Sequence, residues 1–532
     1  LETRLFLVDD KIFLIKLTRI QTPSPRGLVM SEVPEGVDLS GFARKPPRPT
    51  ATMTLTRDGP KGPEVLLGLR SETMAAFPGY WAFTGGGVSR VDTAAVESFS
   101  VLDVEHGKAI ACILRETCEE LGLAPNGDHV ISIDESARFD VIKDKTNWLP
   151  HAEDCTIPVN TDNIRILGHR ITPPFGPVQF DNAFIHFHCG DWQSVPDIDL
   201  EPQTEFDEIM WASPKEILER WSSHEIKVAP PVISVLMEFI RVMKFSNNNI
   251  EEAARNISNR KPGRQSILFA YGVEVVPIRT ATLPPADHTN CYLIGDPDGD
   301  FIIVDPAVRY REDMENLADA VERHNGQPVA IAFTHSHGDH LADMDLLREA
   351  FDLPVWGSEY TSNSVQCDKI LNEGDKLILG KQTWEILITP GHHPGHTCFL
   401  SEAGLVAGDM VAGFGTILIP PGTGNMDVYI EQLIRLREID PHLLFPSHGP
   451  VIALPNKKLS YYIKHRKARH DKVLEAVLNG LSNLDEITIK AYDDTPDAHP
   501  GLAKDQTLAH LLSHEKQGRL SNDGLRWHAS ID

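Results

Sequence analysis

The segment 332–345, AFTHSHGDHLADMD, concentrates side chains of the kind that bind metal ions. It follows an apolar run, PVAIAF, that is typical of a buried β-strand. His335 and His337 are two residues apart, so a turn after the strand can direct both imidazoles at one cation. Asp339 and His340 come next and can serve a second cation. Imidazole nitrogens and a carboxylate suit zinc, and an incomplete protein shell leaves room for water.

Further histidines and an aspartate stand where later predicted strands pass into loops. They are His392, His393 and His396 in LITPGHHPGHTCFL, Asp409 in GLVAGDM and His448 in LLFPSHGP. Loops on a rigid scaffold commonly carry functional residues. Each residue taken alone is more often structural than catalytic, but the series favours a single metal centre.

These motifs resemble those of the metallo-β-lactamase-fold hydrolases. The family pattern T-H-x-H-x-D-H is matched from Thr334 to His340, and the likeness covers residues 268–455. The resemblance implies two zinc ions, with manganese or iron as alternatives, and a catalytic role for Asp339, which would orient the attacking water. It assigns His335, His337 and His396 to one ion, Asp339, His340 and His448 to the other, and Asp409 to both. Asp305, His392 and His393 would support these ligands without binding metal.

Two cations held close together turn a water between them into a nucleophile that attacks carbon or phosphorus. The chain is therefore predicted to be a metal-dependent hydrolase. Our first hypothesis for its substrate is an RNA phosphodiester. The alternative is an acyl bond in a thioester, lactone or β-lactam, and the ligands do not separate the two.

The C-terminal segment carries a basic stretch in an otherwise acidic protein. The runs YIKHRKAR and LAHLLSHEKQGRL resemble the winged-helix-like tail of the β-lactamase-like-2 branch, whose members include an endoribonuclease. The resemblance predicts RNA contacts from Lys464, Arg466, Lys467 and Arg469. The alternative is a helix that packs the domain or builds a homodimer.

The run ILRETCEELGL (113–123) is a second candidate site. Glu116 and Glu120 share one face of a predicted helix with Glu119 beside them, and such carboxylates suit Mg²⁺. An exposed acidic helix is the plain alternative. The run resembles the Nudix box, split by an insertion as in the coenzyme A diphosphatase-like branch, with Gly107 where the motif has an upstream glutamate. The resemblance implies a diphosphatase or a nucleotide-binding module over residues 48–245.

Composition narrows the class of protein. The 532 residues carry a formal charge of −26, which opposes long-range attraction to nucleic acid or an anionic membrane. No apolar run is long enough to predict a membrane-spanning helix. Seven scattered cysteines without CxxC spacing favour a reducing compartment, and we expect a cytoplasmic location.

The predicted fold class is multidomain α/β. We expect an N-terminal extension over 1–47, a Nudix-like α+β domain over 48–245 and a linker over 246–266. A metallo-β-lactamase αββα sandwich over 267–455 and a small winged-helix-like domain over 456–532 would follow. Residues 1–29 are interpreted as preceding the natural start, with a short strand pair as the alternative.

Overall fold

The computed structural model describes residues 2–8, 11–17, 46–174, 178–202, 205–260, 266–283, 286–496 and 498–530. The chain divides into two compact units, which we name by position. The N-terminal unit comprises residues 44–173 and 178–271, and the C-terminal unit is mainly residues 272–532. Outside these ranges, β1 (Glu2–Val8) and β2 (Lys11–Leu17) pair as an antiparallel hairpin, the alternative interpretation of residues 1–29. Residues 18–45 of the predicted extension lie outside the described residues.

The N-terminal unit is a mixed sheet packed against helices. Its strands are β3 (Arg48–Gly59), β4 (Gly62–Arg70), β5 (Trp81–Ala82), β6 (Thr84–Gly87), β7 (Leu123–Asn126), β8 (His129–Ser132), β9 (Arg165–Ile171), β10 (Phe180–Asp191), β11 (Phe206–Ala212) and β12 (Leu268–Ala270). Its helices are α1 (Arg90–Ser98), α2 (Gly107–Leu121), α3 (Glu135–Lys143), α4 (Trp148–Glu153), α5 (Pro214–Ser222), α6 (Pro230–Met243) and α7 (Ile250–Ser258). The main sheet has the order β11-β4-β3-β10-β9, with β5 paired to β4 and β6 to β3. Strands β3 and β10 are parallel, and the other neighbours along this order are antiparallel.

Helix α2 is the element that carries the acidic run. Its apolar residues Ile110, Ile113 and Leu114 are buried in one core with β3 and β10. Gly122 ends the helix with φ 64°, a left-handed conformation that glycine adopts without a Cβ penalty. The sheet therefore holds α2 firmly and fixes the direction of its glutamates.

The C-terminal unit contains two sheets. The first has the order β13 (Val273–Arg279), β14 (His288–Gly295), β15 (Asp300–Val304), β16 (Gln327–Ala332), β17 (Val355–Gly357) and β18 (Lys369–Ile370). The pairs from β15 to β18 are parallel. The second sheet has the order β19 (Lys376–Leu379), β20 (Gln382–Ile388), β21 (Thr397–Ser401), β22 (Gly404–Gly408) and β23 (Leu444–Pro446), and its last pair is parallel.

Helices cover both sheets of this unit. In the first core, α8 (Arg311–Arg323) and α9 (Met344–Phe351) pack on β15 and β16, while α10 (Glu359–Ser362) is a single turn. In the second core, α11 (Met426–Ile439) and α12 (Pro455–Leu478) pack on β22 and β23. Asn290 of β14 donates to the carbonyls of Pro446 and Gly449 at 2.8 Å each, which ties the two sheets together. The observed layering is that of the predicted αββα sandwich.

The tail consists of α12, α13 (Leu484–Ala491), α14 (Pro500–Lys516) and a hairpin of β24 (Leu520–Asn522) and β25 (Trp527–Ala529). It does not separate from the sandwich as predicted. Leu459, Tyr462 and Ile463 of α12 and Ala509 of α14 belong to the core of the second sheet. The tail is therefore part of the C-terminal unit.

The predicted linker over 246–266 is also wrong in part. Residues 250–258 form α7, and Ile250, Ala253, Ala254 and Ile257 are buried. Their i, i+3, i+4, i+7 spacing is that of an amphipathic helix, which the neighbouring asparagines obscured. Residues 261–265 lie outside the described residues. Among the helices of the described ranges, none has the length and apolar character needed to cross a bilayer.

Candidate metal centre

The candidate ligands lie where strands of the two sheets end. His335, His337, Asp339 and His340 follow β16, and His392 lies in the loop after β20. Asp409 directly follows β22, and His448 follows β23. The carboxyl ends of parallel strands meet at one edge of a sheet. The fold therefore collects residues that are more than a hundred positions apart in the chain.

Three imidazole nitrogens form the first group of possible ligands. His337 Nδ1 lies 3.0 Å from His335 Nε2 and 2.9 Å from His392 Nε2. His335 and His392 are buried, and His337 is partly exposed. Three nitrogens converging in this way have the arrangement of ligands around one ion.

The second group consists of Asp339, His340 and His448, and Asp409 joins it to the first. Asp409 Oδ1 lies 3.4 Å from His448 Nε2 and 3.6 Å from His340 Nε2. Its other oxygen, Oδ2, lies 3.5 Å from His392 Nε2. The two oxygens of one carboxylate therefore face the two groups, as a bridging ligand requires.

Protein acceptors fix the orientation of the imidazole rings. His392 Nδ1 donates to the carbonyl of Leu418 at 2.7 Å, and His448 Nδ1 donates to that of His288 at 3.1 Å. His340 Nδ1 donates to Asp305 Oδ2 at 2.9 Å. Because these acceptors take the Nδ1 proton, the neutral rings present the lone pair of Nε2 to the centre. Metal-binding histidines are commonly held in this way.

The donor set fits divalent cations. Four buried atoms of the described residues make no hydrogen bond here, namely Asp339 Oδ1 and Oδ2, His340 Nε2 and Asp409 Oδ1. Their charged neighbours lie 3.4 to 3.8 Å away. A tetrahedral zinc site with bonds of about 2.0–2.2 Å separates its ligand atoms by roughly 3.3–3.6 Å. Buried polar atoms without partners are costly, so a cation at each group would satisfy them.

The electrostatics of the second group point the same way. Burial alone would lower the pKa of His340 and of His448. The carboxylates of Asp339 and Asp409 outweigh burial and hold both pKa values well above the usual range. The raised pKa values favour the protonated imidazoles when no metal is bound, and metal binding would displace that proton.

The geometry favours His392 over His396 as a candidate ligand. Sequence similarity favoured His396 as a ligand, but the amide of Asp409 donates to His396 Nε2 at 2.9 Å, and His396 Nδ1 lies 2.8 Å from Thr389 Oγ1. Both ring nitrogens of His396 therefore have protein partners. His392, which lies in one group with His335 and His337, is therefore the stronger candidate. The sequence held a usable signal, because His392 lies in a loop after a strand whereas His396 directly precedes β21.

Asp305 and His393 lie beside the groups. Asp305 accepts hydrogen bonds from the amide and hydroxyl of Thr334, at 2.8 and 2.7 Å, as well as from His340. Its φ of 51° places the residue in the left-handed region, where strain often marks a functional position. The His393 ring packs against His335 and His337, and its Nε2 lies 3.2 Å from Ser336 Oγ.

The glutamates of α2 in the N-terminal unit have a different environment. Arg115 is almost completely buried and pairs with Asp92 at 2.8 Å, Glu116 at 2.9 Å and Glu119 at 2.8 Å. Glu120 is buried, its Oε2 accepts from the amide of Gly85 at 3.3 Å, and its Oε1 makes no hydrogen bond. Among the described residues of this unit, no three carboxylate, thiolate or imidazole ligand atoms converge within 4.8 Å.

Burial is the main cause of the raised pKa values of these glutamates. It raises the pKa of Glu116 to about 7, with Glu119 adding to the rise, and raises that of Glu120 well above its usual range. Glu205, which pairs with Arg70 at 3.0 Å, contributes to both shifts. A Cβ at Gly107 would lie 2.0 Å from the carbonyl oxygen of Leu102, so no glutamate fits where the motif usually has one.

Two of the four predicted RNA contacts are buried. Arg466 donates to Gln506 Oε1 at 2.7 Å and to the carbonyl of Ile417, and Arg469 donates to Asp494 at 2.9 Å. Neither guanidinium is accessible to a polymer, so this prediction is wrong for both arginines. Lys464 and Lys467 are exposed.

Comparison with known proteins agrees with this geometry. The family model of the metallo-beta-lactamase superfamily matches residues 284–448, which span every candidate ligand of the centre. Residues 284–448 form a metallo-β-lactamase superfamily domain. The chain is accordingly a metal-dependent hydrolase.

Proteins similar to parts of this chain differ in their named activities. The beta-lactamase-like protein 2 homolog of Drosophila melanogaster is 25% identical over 249 residues, which are 44% of this chain and 84% of that protein. A hydroxyacylglutathione hydrolase of Hamiltonella defensa is 32% identical over 162 residues, which are 30% of this chain and 62% of that protein. The crystal structure of a Nudix hydrolase from Alicyclobacillus acidocaldarius aligns at 25% identity and a TM-score of 0.36, covering 41% of this chain and 100% of that one.

Proposed function

We propose that the C-terminal unit hydrolyses an acyl thioester at a centre of two divalent cations. The observation that carries the proposal is the position of Asp409, whose two oxygens face two separate groups of ligand atoms. His335, His337 and His392 would hold one cation, and Asp339, His340 and His448 the other. A dinuclear centre of this kind polarises a carbonyl and lowers the pKa of an attacking water.

The residues of the chain divide the remaining work. Asp305 fixes the His340 ring, and the carbonyls of Leu418 and His288 fix His392 and His448. Asp339 has two oxygens without other hydrogen bonds, so one can bind metal while the other accepts a hydrogen bond from the attacking water. His396 holds the amide of Asp409 and so places the shared carboxylate.

Two observations favour a thioester over RNA. One relative is a hydroxyacylglutathione hydrolase, and an acylglutathione is a thioester. Burial of Arg466 and Arg469 removes half of the basic surface on which the RNA hypothesis depended. The remaining lysines, Lys464 and Lys467, are two exposed cations on a chain of formal charge −26.

A substrate panel tests this proposal. Purified protein loaded with zinc, manganese or iron is offered S-acetylglutathione, single-stranded RNA and a chromogenic β-lactam, with His335→Ala as the inactive control. We expect metal-dependent release of thiol that His335→Ala abolishes. Cleavage of RNA without thiol release would overturn the thioester assignment and restore the phosphodiester hypothesis.

A second activity is proposed for the N-terminal unit, where Glu116, Glu119 and Glu120 would bind Mg²⁺ beside a diphosphate. The specific observation is Glu120, which is buried with Oε1 lacking a hydrogen bond. Calorimetry should detect Mg²⁺ binding that Glu120→Gln weakens and that the exposed Glu97→Gln leaves unchanged. Release of adenosine 3′,5′-bisphosphate and 4′-phosphopantetheine from coenzyme A would identify a diphosphatase, and binding without release a nucleotide-binding module. A cytoplasmic location and a homodimer stay predictions.

A further inference from the structure

The first turn of α12 places a lysine close to the metal centre. The ammonium of Lys458 donates to the carbonyl of Gly413 at 3.2 Å. The amide of Gly413 donates to the carbonyl of His448 at 2.7 Å. The Lys458 ammonium is therefore two hydrogen bonds from a proposed metal ligand, at the loop that follows Asp409.

This lysine is partly buried, and no carboxylate lies beside it in the described part of the chain. Among the described residues, no carboxylate pairs with Lys458, whereas Lys472 on the same helix pairs with Asp493 and Asp494 at 2.9 Å each. Burial lowers the pKa of Lys458 to about 8, and no carboxylate opposes that effect. Within the described ranges, Arg466 on the same helix also lacks a carboxylate partner, but Gln506 Oε1 and the carbonyl of Ile417 accept from its guanidinium, whereas the Lys458 ammonium donates to one carbonyl.

Holding the loop does not require this charge. Tyr462, one turn further along α12, already bonds to the amide of Ala412 and the carbonyl of Gly415 at 3.0 Å each. Arg466, a further turn on, donates to the carbonyl of Ile417 in the same loop. An ammonium has three donors, and the bond to Gly413 uses one of them. Lys458 also lies 5.2 Å from the centre of the Tyr462 ring, which stabilises the charge where it is.

We propose that Lys458 binds an anionic group, a carboxylate or a phosphate, on the thiol arm of the substrate. The inference rests on the proposed thioester hydrolysis and narrows its substrate class to thioesters with an anionic arm. In that reaction the water oxygen bonds to the acyl carbon and the carbon–sulfur bond breaks. The sulfur leaves as a thiol with a proton from water, and Lys458 acts on the arm rather than on the reacting atoms.

Two matched thioesters test the inference, 3-(acetylthio)propanoate and its neutral amide, 3-(acetylthio)propanamide. Lys458→Gln keeps a hydrogen-bond donor but removes the charge. We expect its KM for the propanoate to rise about tenfold to a hundredfold, the value of a charge-assisted hydrogen bond. Its kcat for the propanoate, and both constants for the amide, should stay close to those of the wild type. Lys458→Arg should restore most of the KM, and Lys457→Gln, at an exposed neighbour, should have no effect.

The outcomes separate the two proposals. Equal losses on both thioesters, or a fall in kcat alone, would mean that Lys458 only positions the loop and would overturn the inference. An unchanged KM would overturn it as well. If Lys458→Gln does not fold, the wild type must still prefer the propanoate to the amide at low salt, and equal KM values would contradict the inference. If the metal-loaded wild type cleaves neither thioester, the proposed function fails first and the inference fails with it.

Discussion

The centre around Asp409 and the acidic face of α2 are both groups of ligand-type side chains, but their charges are balanced differently. In the N-terminal unit, Arg115 lies among the carboxylates and pairs with Asp92, Glu116 and Glu119. In the C-terminal unit, no lysine or arginine of the described residues pairs with Asp339 or Asp409, and both oxygens of Asp339 and Oδ1 of Asp409 lack hydrogen bonds. Residue types and spacing suggested metal in both places. The ligand atoms converge around Asp409 but not on α2. Arg115 lies among the carboxylates of α2, whereas no such cation of the protein lies beside Asp409 in the described residues.

The largest expected effect separates His392 from His396. Removal of a ligand forfeits several kcal/mol of transition-state stabilisation, so His392→Ala should reduce thioester hydrolysis roughly 10³-fold and release one metal equivalent. His396→Ala should keep both metals and lose about 10- to 100-fold, because the ring acts by placing Asp409. Activity assays with elemental analysis provide the measurement. Metal loss in His396→Ala but not in His392→Ala would reverse the assignment.

The buried arginine of the N-terminal unit gives the next largest effect. Asp92→Asn leaves Arg115 without its bidentate partner and should lower the free energy of unfolding of this unit by about 3–5 kcal/mol. Urea denaturation checks this, with the exposed Glu97→Gln as the control. A change below 1 kcal/mol, about the value of a surface pair, would show that Arg115 is balanced by its glutamates alone.

The buried arginines and the exposed lysines of the basic stretch should contribute differently to stability. Arg466→Ala removes the guanidinium that donates to the carbonyl of Ile417 and leaves Gln506 Oε1 with only the amide of Ile419 as a donor, so it should destabilise the C-terminal unit by about 1–3 kcal/mol. Lys467→Ala, at an exposed position one residue away, should change the unfolding free energy by less than about 0.5 kcal/mol. Equal effects on stability, or a specific loss of RNA affinity in Arg466→Ala, would contradict the structural role.

The tail contains a second cluster of buried histidines, which we compare with the metal centre. His470, His510 and His514 pack together with Arg519, and Asp427 is their acidic neighbour. Burial lowers the pKa of His470 and of His514 to about 4 and that of His510 well below its usual range. Their rings do not form a group of convergent ligand atoms. We therefore expect no metal here.

Acid should instead weaken this part of the fold. Between about pH 6.5 and 4 the unfolded histidines bind protons and the folded ones do not, so stability falls as pH falls through this window. At pH 5 the loss is on the order of 1–2 kcal/mol for each histidine. Urea denaturation at pH 7 and pH 5 measures it, and His510→Leu should reduce the pH dependence. A midpoint that does not move with pH would show that these rings are already protonated in the fold.

The sequence predicted the regular elements better than their assembly. The helix that was predicted for the acidic run is observed as α2, Gly107–Leu121, because its apolar period and the final glycine are local signals. The linker was wrong because polar side chains near α7 outweighed four buried residues at helical spacing. The tail was predicted to be a separate domain because the sequence does not reveal contacts between distant residues. In the structure, Leu459 of the tail shares a core with Ala407 of the sandwich.

The candidate site shows the same limit. Strand-end histidines and aspartates predicted the centre, but which ring nitrogen is occupied depends on Asp409 and Thr389, which sequence spacing does not place. Burial of Arg466 against the loop after Asp409 likewise depends on tertiary packing. Arginines that bind RNA at the surface and arginines that form buried hydrogen bonds look the same in a sequence, so the sequence could not distinguish the two roles.

The number of metal ions bound per chain shows whether Asp409 joins two cations. Metal-free protein is titrated with zinc while bound metal and thioester hydrolysis are followed together, for the wild type and for Asp409→Asn. We expect two equivalents in the wild type, with full activity reached only at the second, and at most one tightly bound equivalent in Asp409→Asn. Full activity with a single equivalent, or two equivalents retained in Asp409→Asn, would contradict a centre built on a shared carboxylate.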